Sequence, residues 1–317
     1  MRYGHVKTSA KVTRGTIFLG PGYAEPIEKY YELMRELTAE GYDLWIMDWA
    51  GQGGSTRHDP KDRQRSYDVE DFVDHHCADL YHLVTKVAKV PDHHKIAYMG
   101  SSMGGHIGLR FVGEYPHVFD TIAVSSALVG LQTGGLPMKL VERMTTRYRR
   151  RGQGGTYVPG GRNWSKNKSL FFGNLKTSDP IRFKVLSRLF LSNERLQVGD
   201  VRIDWLHHVM PSLRKVSNRL YLEKLKTPIF MSIAGKDKIV SVRAQRRAVK
   251  SMFNACSMEY KSAKHELWME RDDIRDRWLG NVLKHLAPVM DDIRAPVRFT
   301  KRFRPIHTSG AFSRRCT

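Results

Sequence analysis

The pentapeptide Gly100-Ser101-Ser102-Met103-Gly104 has the form G-x-S-x-G; it follows a short apolar run at 95–99 and precedes an apolar-periodic stretch at 107–115. A strand, a tight turn and a helix in that order can turn a serine into a nucleophile. The turn exposes the hydroxyl at the strand end, and small flanking residues are needed where the backbone is strained. Ser102 is therefore the candidate nucleophile. The Met103 amide, at the start of the following helix, is a candidate donor to a tetrahedral oxyanion. Ser101 and Ser125 read as ordinary turn or strand-end serines.

A serine nucleophile requires a base, and the base requires an acid that fixes its tautomer. On this kind of scaffold the chain order is serine, acid, histidine, with each partner on a loop after a later strand. Asp237, within Gly235-Lys236-Asp237-Lys238, follows the apolar run at 228–233. His265, within Ala263-Lys264-His265-Glu266, follows a shorter run near 258–260. Asp200 and Asp204 compete for the role of acid. The histidine pairs His75-His76, His93-His94 and His207-His208 lack the required position and read as surface or core residues. The second oxyanion donor is expected from the loop after the first strand, Gly20-Pro21-Gly22-Tyr23, and the Tyr23 amide is the candidate. Gly51-Gln52-Gly53 falls short of G-x-G-x-x-G because Ser55 and Thr56 follow Gly54, so it reads as a structural turn near the site.

These residues need a sheet to hold them. The apolar run at 16–19 stops at Gly20-Pro21-Gly22. Ile27, Tyr30, Tyr31, Met34 and Leu37 then recur at helical spacing up to Gly41, and a second strand follows at 42–49. A helical pattern at 69–90, a strand at 95–99 and another at 121–124 continue the rhythm. Alternation of this kind predicts an α/β fold with a mostly parallel sheet and helices on both faces. Between 130 and 226 no strand is evident, and basic amphipathic stretches such as 139–151 take over. The expected organisation is a core in two parts, 1–129 and 227–293, interrupted by a helical basic cap at 130–226. A basic, disordered tail is expected at 294–317.

Composition supports a folded chain: 41% of the 317 residues are hydrophobic and 27% charged, which is ordinary for a globular protein. The net charge of +21 is the outlier, and it is local. Residues 131–226 hold 20 Lys/Arg against 6 Asp/Glu, and residues 294–317 hold 7 against none, so the rest is balanced. Cys77, Cys256 and Cys316 are scattered, odd in number and without metal spacing, which points to a reducing compartment. No apolar run reaches the roughly 18 residues of a membrane span, and the first ten residues lack a signal-peptide core. A cytoplasmic protein is expected, with peripheral contact to the inner face of the membrane.

Several segments in fixed order resemble the bacterial lysophospholipase and monoacylglycerol lipase branch of the α/β-hydrolases. They are Gly20-Pro21-Gly22-Tyr23-Ala24-Glu25 with Glu28-Lys29-Tyr30, Met47-Asp48-Trp49-Ala50-Gly51-Gln52-Gly53-Gly54-Ser55, and Gly100-Ser101-Ser102-Met103-Gly104-Gly105. Thr177-Ser178-Asp179-Pro180-Ile181-Arg182 resembles a stretch of the cap in such proteins. Gly235-Lys236-Asp237-Lys238-Ile239-Val240 resembles their acid loop, and Lys264-His265-Glu266-Leu267 their histidine loop. The similarity spans residues 2–286. It implies the α/β-hydrolase fold, a triad of Ser102, Asp237 and His265, and an oxyanion hole from the Tyr23 and Met103 amides. The chain begins where relatives already carry an edge strand or two, so the first sheet edge is expected to be thin.

The reading is a serine carboxylic-ester hydrolase acting on a lipid ester, lysophospholipid or monoacylglycerol by resemblance, with no cofactor and no metal. Alternatives are an acyltransferase or peptidase with the same triad, or a phospholipid- or nucleic-acid-binding protein whose site idles. An intact nucleophile, acid and base argue against the last, and with it against nucleic acid as the partner.

Overall fold

In the computed structural model, which describes residues 1–291, seven strands form one sheet: β1 (Arg2–Val6), β2 (Gly15–Gly20), β3 (Tyr42–Asp48), β4 (Ile96–Ser101), β5 (Thr121–Ser125), β6 (Ile229–Ala234) and β7 (Ala255–Tyr260). Their order across the sheet is β1-β3-β2-β4-β5-β6-β7. All neighbours are parallel except β1, which runs antiparallel to β3. The expected tail at 294–317 lies outside the described residues.

Strands β2, β4 and β5 are almost wholly buried because helices cover both faces. The side chains alternate accordingly. Ile17, Leu19, Leu44, Ile46, Ala97 and Met99 pack with α1 (Tyr31–Ala39) and α9 (Asp272–Met290) on one face. Phe18, Trp45, Met47, Tyr98, Ile122 and Val124 face the other side, against α2 (Phe72–His82), α3 (Met103–Glu114) and α8 (Val242–Ser251). The period of two along each strand sorts residues between the two cores.

Strand β1 is absent from the sequence reading. Its residues alternate between half-buried and exposed, with Gly4 in the middle, so no apolar pattern marks it. Pairing with β3, from Arg2 opposite Asp48 to Val6 opposite Leu44, creates it. Arg2 locks the register by binding Glu28 at 2.7 Å and the fully buried Asp48 at 2.5 Å.

Between β5 and β6 the chain forms α4 (Met138–Arg150), α5 (Pro180–Ser192), α6 (Ile203–Ser217) and the short α7 (Arg219–Glu223), and no strand occurs there among the described residues. Helix α5 starts where Asp179 accepts from the Ile181 and Arg182 amides, with Pro180 at the first helical position. Helix α6 does not stand apart: Trp205, Val209, Leu213 and Val216 join the same core as α2 and α3. A polar bridge reinforces that contact. Nε2 of the buried His106 in α3 accepts from Ser212 Oγ of α6 at 2.7 Å, while Arg110 donates to the same hydroxyl at 2.5 Å.

Candidate active site

The sheet register brings the sequence-derived candidates to one edge. Gly20 pairs with Gly100, Ser101 with Ser125, Ser125 with Ser232, and Ala234 with Tyr260. Ser102, Asp237 and His265 lie just past the ends of β4, β6 and β7. This end of a parallel sheet is where such folds gather functional loops.

Ser102 occupies a turn that its neighbours make possible. Its backbone sits at φ 50°, ψ −111°, a conformation most side chains avoid. Its amide donates to the Ser125 carbonyl at 2.9 Å, and its own carbonyl accepts from Leu128 and His106 at 3.0 Å each. A Cβ on Gly104 would lie 2.0 Å from the Gly20 carbonyl oxygen, and one on Gly100 would lie 2.6 Å from that of Gly104. Gly104 is therefore a steric requirement of the close approach between the turn and the end of β2, and Gly100 of the tightness of the turn itself.

His265 and Asp237 meet directly. The histidine Nδ1 lies 2.7 Å from Asp237 Oδ2, with the carboxylate fully buried and the imidazole nearly so. The other oxygen, Oδ1, accepts from the Ile239 and Val240 amides at 2.8 and 3.0 Å. Since the carboxylate can only accept, Nδ1 carries the proton and Nε2 is left as the proton acceptor. The competing acids are occupied elsewhere: Asp204 binds Arg65 and Arg149, and Asp200 binds Lys168. Among the described residues the Ser102 hydroxyl makes no hydrogen bond, so contact is established between acid and histidine but not between histidine and serine.

The paired histidines are otherwise engaged. His207 meets Thr145, His208 meets the Asp68 carbonyl, and His76 is enclosed by Trp49, Tyr67 and Phe72.

In the loop after β2 the Tyr23 amide is left unspent among the described residues. Gly22 donates to Glu25 at 2.8 Å and Ala24 donates to Gln52, whereas neither the Tyr23 nor the Met103 amide has an acceptor among the described residues. The Tyr23 side chain reaches away from the turn. Its ring packs edge-on against Trp205 at 5.3 Å, and its hydroxyl meets Ser66 and the carbonyls of Gly199 and Asp200 at 3.2 Å. Burial pushes the phenol well above its ordinary pKa, so it stays protonated.

Sequence reasoning missed two features. Gln52, read as part of a structural turn, is buried between the two amide-bearing segments: Oε1 accepts from Ala24 and Nε2 lies 3.8 Å from the Met103 sulfur. A glutamine between two glycines was the available signal. The second feature is a buried ion cluster around Lys29: Glu25, Lys29 and Glu266 all lie in segments that carry the resemblance, but nothing in line says that the three meet. Among the described residues no group of three or more His, Cys, Asp or Glu side chains is arranged to hold a metal ion.

The family described as serine aminopeptidase, S33 (Hydrolase_4) matches residues 11–272. The chain belongs to that family. It is an α/β-hydrolase, as the strand order and the turn at Ser102 require. A Haemophilus influenzae protein named probable lysophospholipase L2 is 27% identical over 288 residues, covering 90% of this chain and 86% of the relative. A soluble variant of monoglyceride lipase from Saccharomyces cerevisiae, solved with a substrate analogue, superposes with a TM-score of 0.68 at 17% identity, covering 93% of this chain and 92% of its own. Monoacylglycerol lipase from Paleococcus ferrophilus gives the same TM-score at 16% identity, covering 90% and 98%.

Proposed function

We propose that this α/β-hydrolase cleaves the ester of a lipid, lysophospholipid or monoacylglycerol, through Ser102, His265 and Asp237. The hydrogen bond between His265 Nδ1 and the buried Asp237 carboxylate carries the reading, because it leaves Nε2 as the base at the same sheet edge as the G-x-S-x-G turn. His265 takes the Ser102 proton as the hydroxyl attacks the acyl carbonyl, and Asp237 stabilises the imidazolium. The Tyr23 and Met103 amides, both without acceptors among the described residues, receive the oxyanion. His265 returns its proton to the leaving alcohol, and water then repeats the sequence on the acyl-enzyme.

Residues 130–226 act as a cap in this reading. The Tyr23 hydroxyl contacts the carbonyls of Gly199 and Asp200, and the Glu266 amide donates to the Lys176 carbonyl at 2.8 Å, so the cap touches both loops of the site. Its surface suits an anionic membrane. Leu136, Leu140, Met144 and Tyr148 recur every four residues along and just before α4, and all are exposed. Lys139, Arg143, Arg147, Arg150 and Arg151 flank that stripe and form no ion pair among the described residues. An apolar stripe edged by free cations is the form of a helix that lies in a lipid interface.

The names of the lysophospholipase and monoacylglycerol lipase relatives support a lipid substrate, while the family description supports a peptidase as the second reading. Fluorophosphonate labelling followed by peptide mapping tests the chemistry, with the adduct expected on Ser102. A panel of short esters, monoacylglycerols, lysophospholipids and aminoacyl amides tests the substrate. Absence of an adduct on Ser102 refutes the triad, and preferential cleavage of the amides replaces lipase with peptidase.

A further inference from the structure

The buried ion cluster joins the two loops on which the proposed chemistry depends. Lys29, just before α1, has a side chain only 1% exposed, and its ammonium lies 2.7 Å from both Glu25 Oε1 and Glu266 Oε1. Glu25 belongs to the loop that carries the Tyr23 amide. Its other oxygen accepts from the Gly22 amide at 2.8 Å and from the Tyr30 hydroxyl at 2.5 Å, and a Cβ on Gly22 would collide with that carboxylate at 2.8 Å. Glu266 is the residue after His265. Lys176, from the segment between β5 and β6, approaches the same Glu266 oxygen at 3.5 Å. The Lys29 ammonium also lies 5.2 Å from the Trp268 ring, against which Tyr30 stacks.

A cluster of this kind is a poor device for stability. Burial of two carboxylates and a lysine carries a large desolvation cost, which the mutual attraction repays only when the geometry is good. Burial would raise the Glu266 pKa, yet Lys29 and Lys176 together hold it down to about 2, so Glu266 stays ionised beside His265. What the cluster does supply is geometry. The ammonium presents three donors in fixed directions, and two of them end on loops that are distant in sequence but adjacent in the site.

We propose that Lys29 is a positioning residue that holds the Tyr23 loop and the His265 loop in register across the active site by bridging Glu25 of the first to Glu266 of the second. The inference rests on the triad reading above. It assigns Lys29 no contact with substrate: it acts through the placement of the Tyr23 amide and of the imidazole. The groups facing His265 in this account are Asp237, Glu266 and, through Glu266, Lys29 and Lys176. Removing Lys29 alone therefore also leaves excess negative charge near the imidazole, which favours its protonated form.

The test compares Lys29→Met, Lys29→Arg and the neutral triple variant Glu25→Gln/Lys29→Met/Glu266→Gln with wild type. Measurements are fluorophosphonate labelling rate, kcat and KM on a soluble ester, and the pH profile of kcat/KM. Lys29→Met should lower kcat and the labelling rate by about a hundredfold, the cost of a displacement near 1 Å, with KM within about threefold. Its acidic limb in kcat/KM, where His265 must lose its proton to act as the base, should move to higher pH, and Lys29→Arg should recover most of the rate. The triple variant buries no charge of its own, and the partly exposed Lys176 can turn to water, so it should keep a melting temperature near wild type; its acidic limb should move to lower pH, because a net negative charge is gone, and it should still lose kcat as Lys29→Met does. That loss in a folded protein excludes a merely structural role. Wild-type kcat in the triple variant, or equal labelling of Ser102 in wild type and Lys29→Met, overturns the positioning role while leaving the triad standing. Failure of wild type itself to label at Ser102 overturns both.

Discussion

Asp237 presents its two oxygens to two different tasks: Oδ2 faces His265 Nδ1 at 2.7 Å, and Oδ1 is held by the amides of Ile239 and Val240. This division gives the Asp237→Asn variant a definite geometry. Two amide donors require the carboxamide oxygen to stay at the Oδ1 position, which turns its NH2 towards the imidazole. Nδ1 must then accept, and the ring proton moves to Nε2, the wrong tautomer for a base. Steady-state kinetics should show kcat reduced roughly 10⁴-fold with the melting temperature nearly unchanged. A loss of less than about tenfold would assign the acid to another residue.

The backbone at Ser102 predicts a trade of stability against activity. At φ 50° a residue with a Cβ is strained, at a cost of order 1 kcal/mol or more, whereas glycine is not. Ser102→Ala and Ser102→Gly should both be inactive on esters. Only the glycine variant should melt higher, by roughly 2–4 °C for each kcal/mol of relieved strain. Equal melting temperatures for the two variants would show that the turn stores no strain. Gly104→Ala should instead fail to fold or to label, because its Cβ meets the Gly20 carbonyl at 2.0 Å.

Two buried imidazoles, His76 and His106, and the half-buried His285 make the fold sensitive to acid. Burial lowers His76 to about 3 and His106 and His285 to about 4, from the ordinary 6.5. Between the two values the unfolded chain binds protons that the folded chain refuses, so stability falls as pH drops from about 6.5 towards 4 and is unaffected by these groups above 6.5. Among the described residues His76 also leaves both ring nitrogens without hydrogen bonds, in an aromatic shell of Trp49, Tyr67 and Phe72. His76→Phe should remove that unmet demand, raise the melting temperature at pH 7 and flatten its decline between pH 6.5 and 4. Thermal melts across that range check both effects; an unchanged slope would contradict the assignment.

Helix α4 predicts a salt-dependent membrane affinity. Each Lys or Arg near an anionic surface is worth about 1 kcal/mol, and the screening length falls from about 10 Å at 0.1 M salt to about 3 Å at 1 M. Co-sedimentation with phosphatidylserine-containing vesicles should weaken steeply with salt. It should nearly vanish in Arg143→Glu/Arg147→Glu/Arg150→Glu, while turnover of a small soluble ester changes far less. Binding indifferent to salt or to these charge reversals would remove α4 from the interface.

Along the chain, apolar runs at 16–19, 42–49, 95–99 and 121–124 were enough to place four strands, though not their order in the sheet, and the small residues around Ser102 were enough to mark the turn. Those signals are local, because a buried parallel strand and a strained elbow each constrain residues within a few positions. Asp237 and His265 followed from their places after later strands and from the family resemblance; the fold adds that Asp237 lies 2.7 Å from His265, while Asp200 and Asp204 are bound to Lys168 and to Arg65 and Arg149. Strand β1 carries no periodic signal and exists because β3 offers it hydrogen bonds and Arg2 finds Glu28 and Asp48. Lys29 is the clearest case. In line it belongs to a segment that carries the resemblance but has no visible partner, and its ammonium is buried because carboxylates from residues 25 and 266 converge on it. Burial of an apolar side chain is legible from its neighbours in sequence. Burial of a charge depends on partners that only the tertiary fold brings within reach.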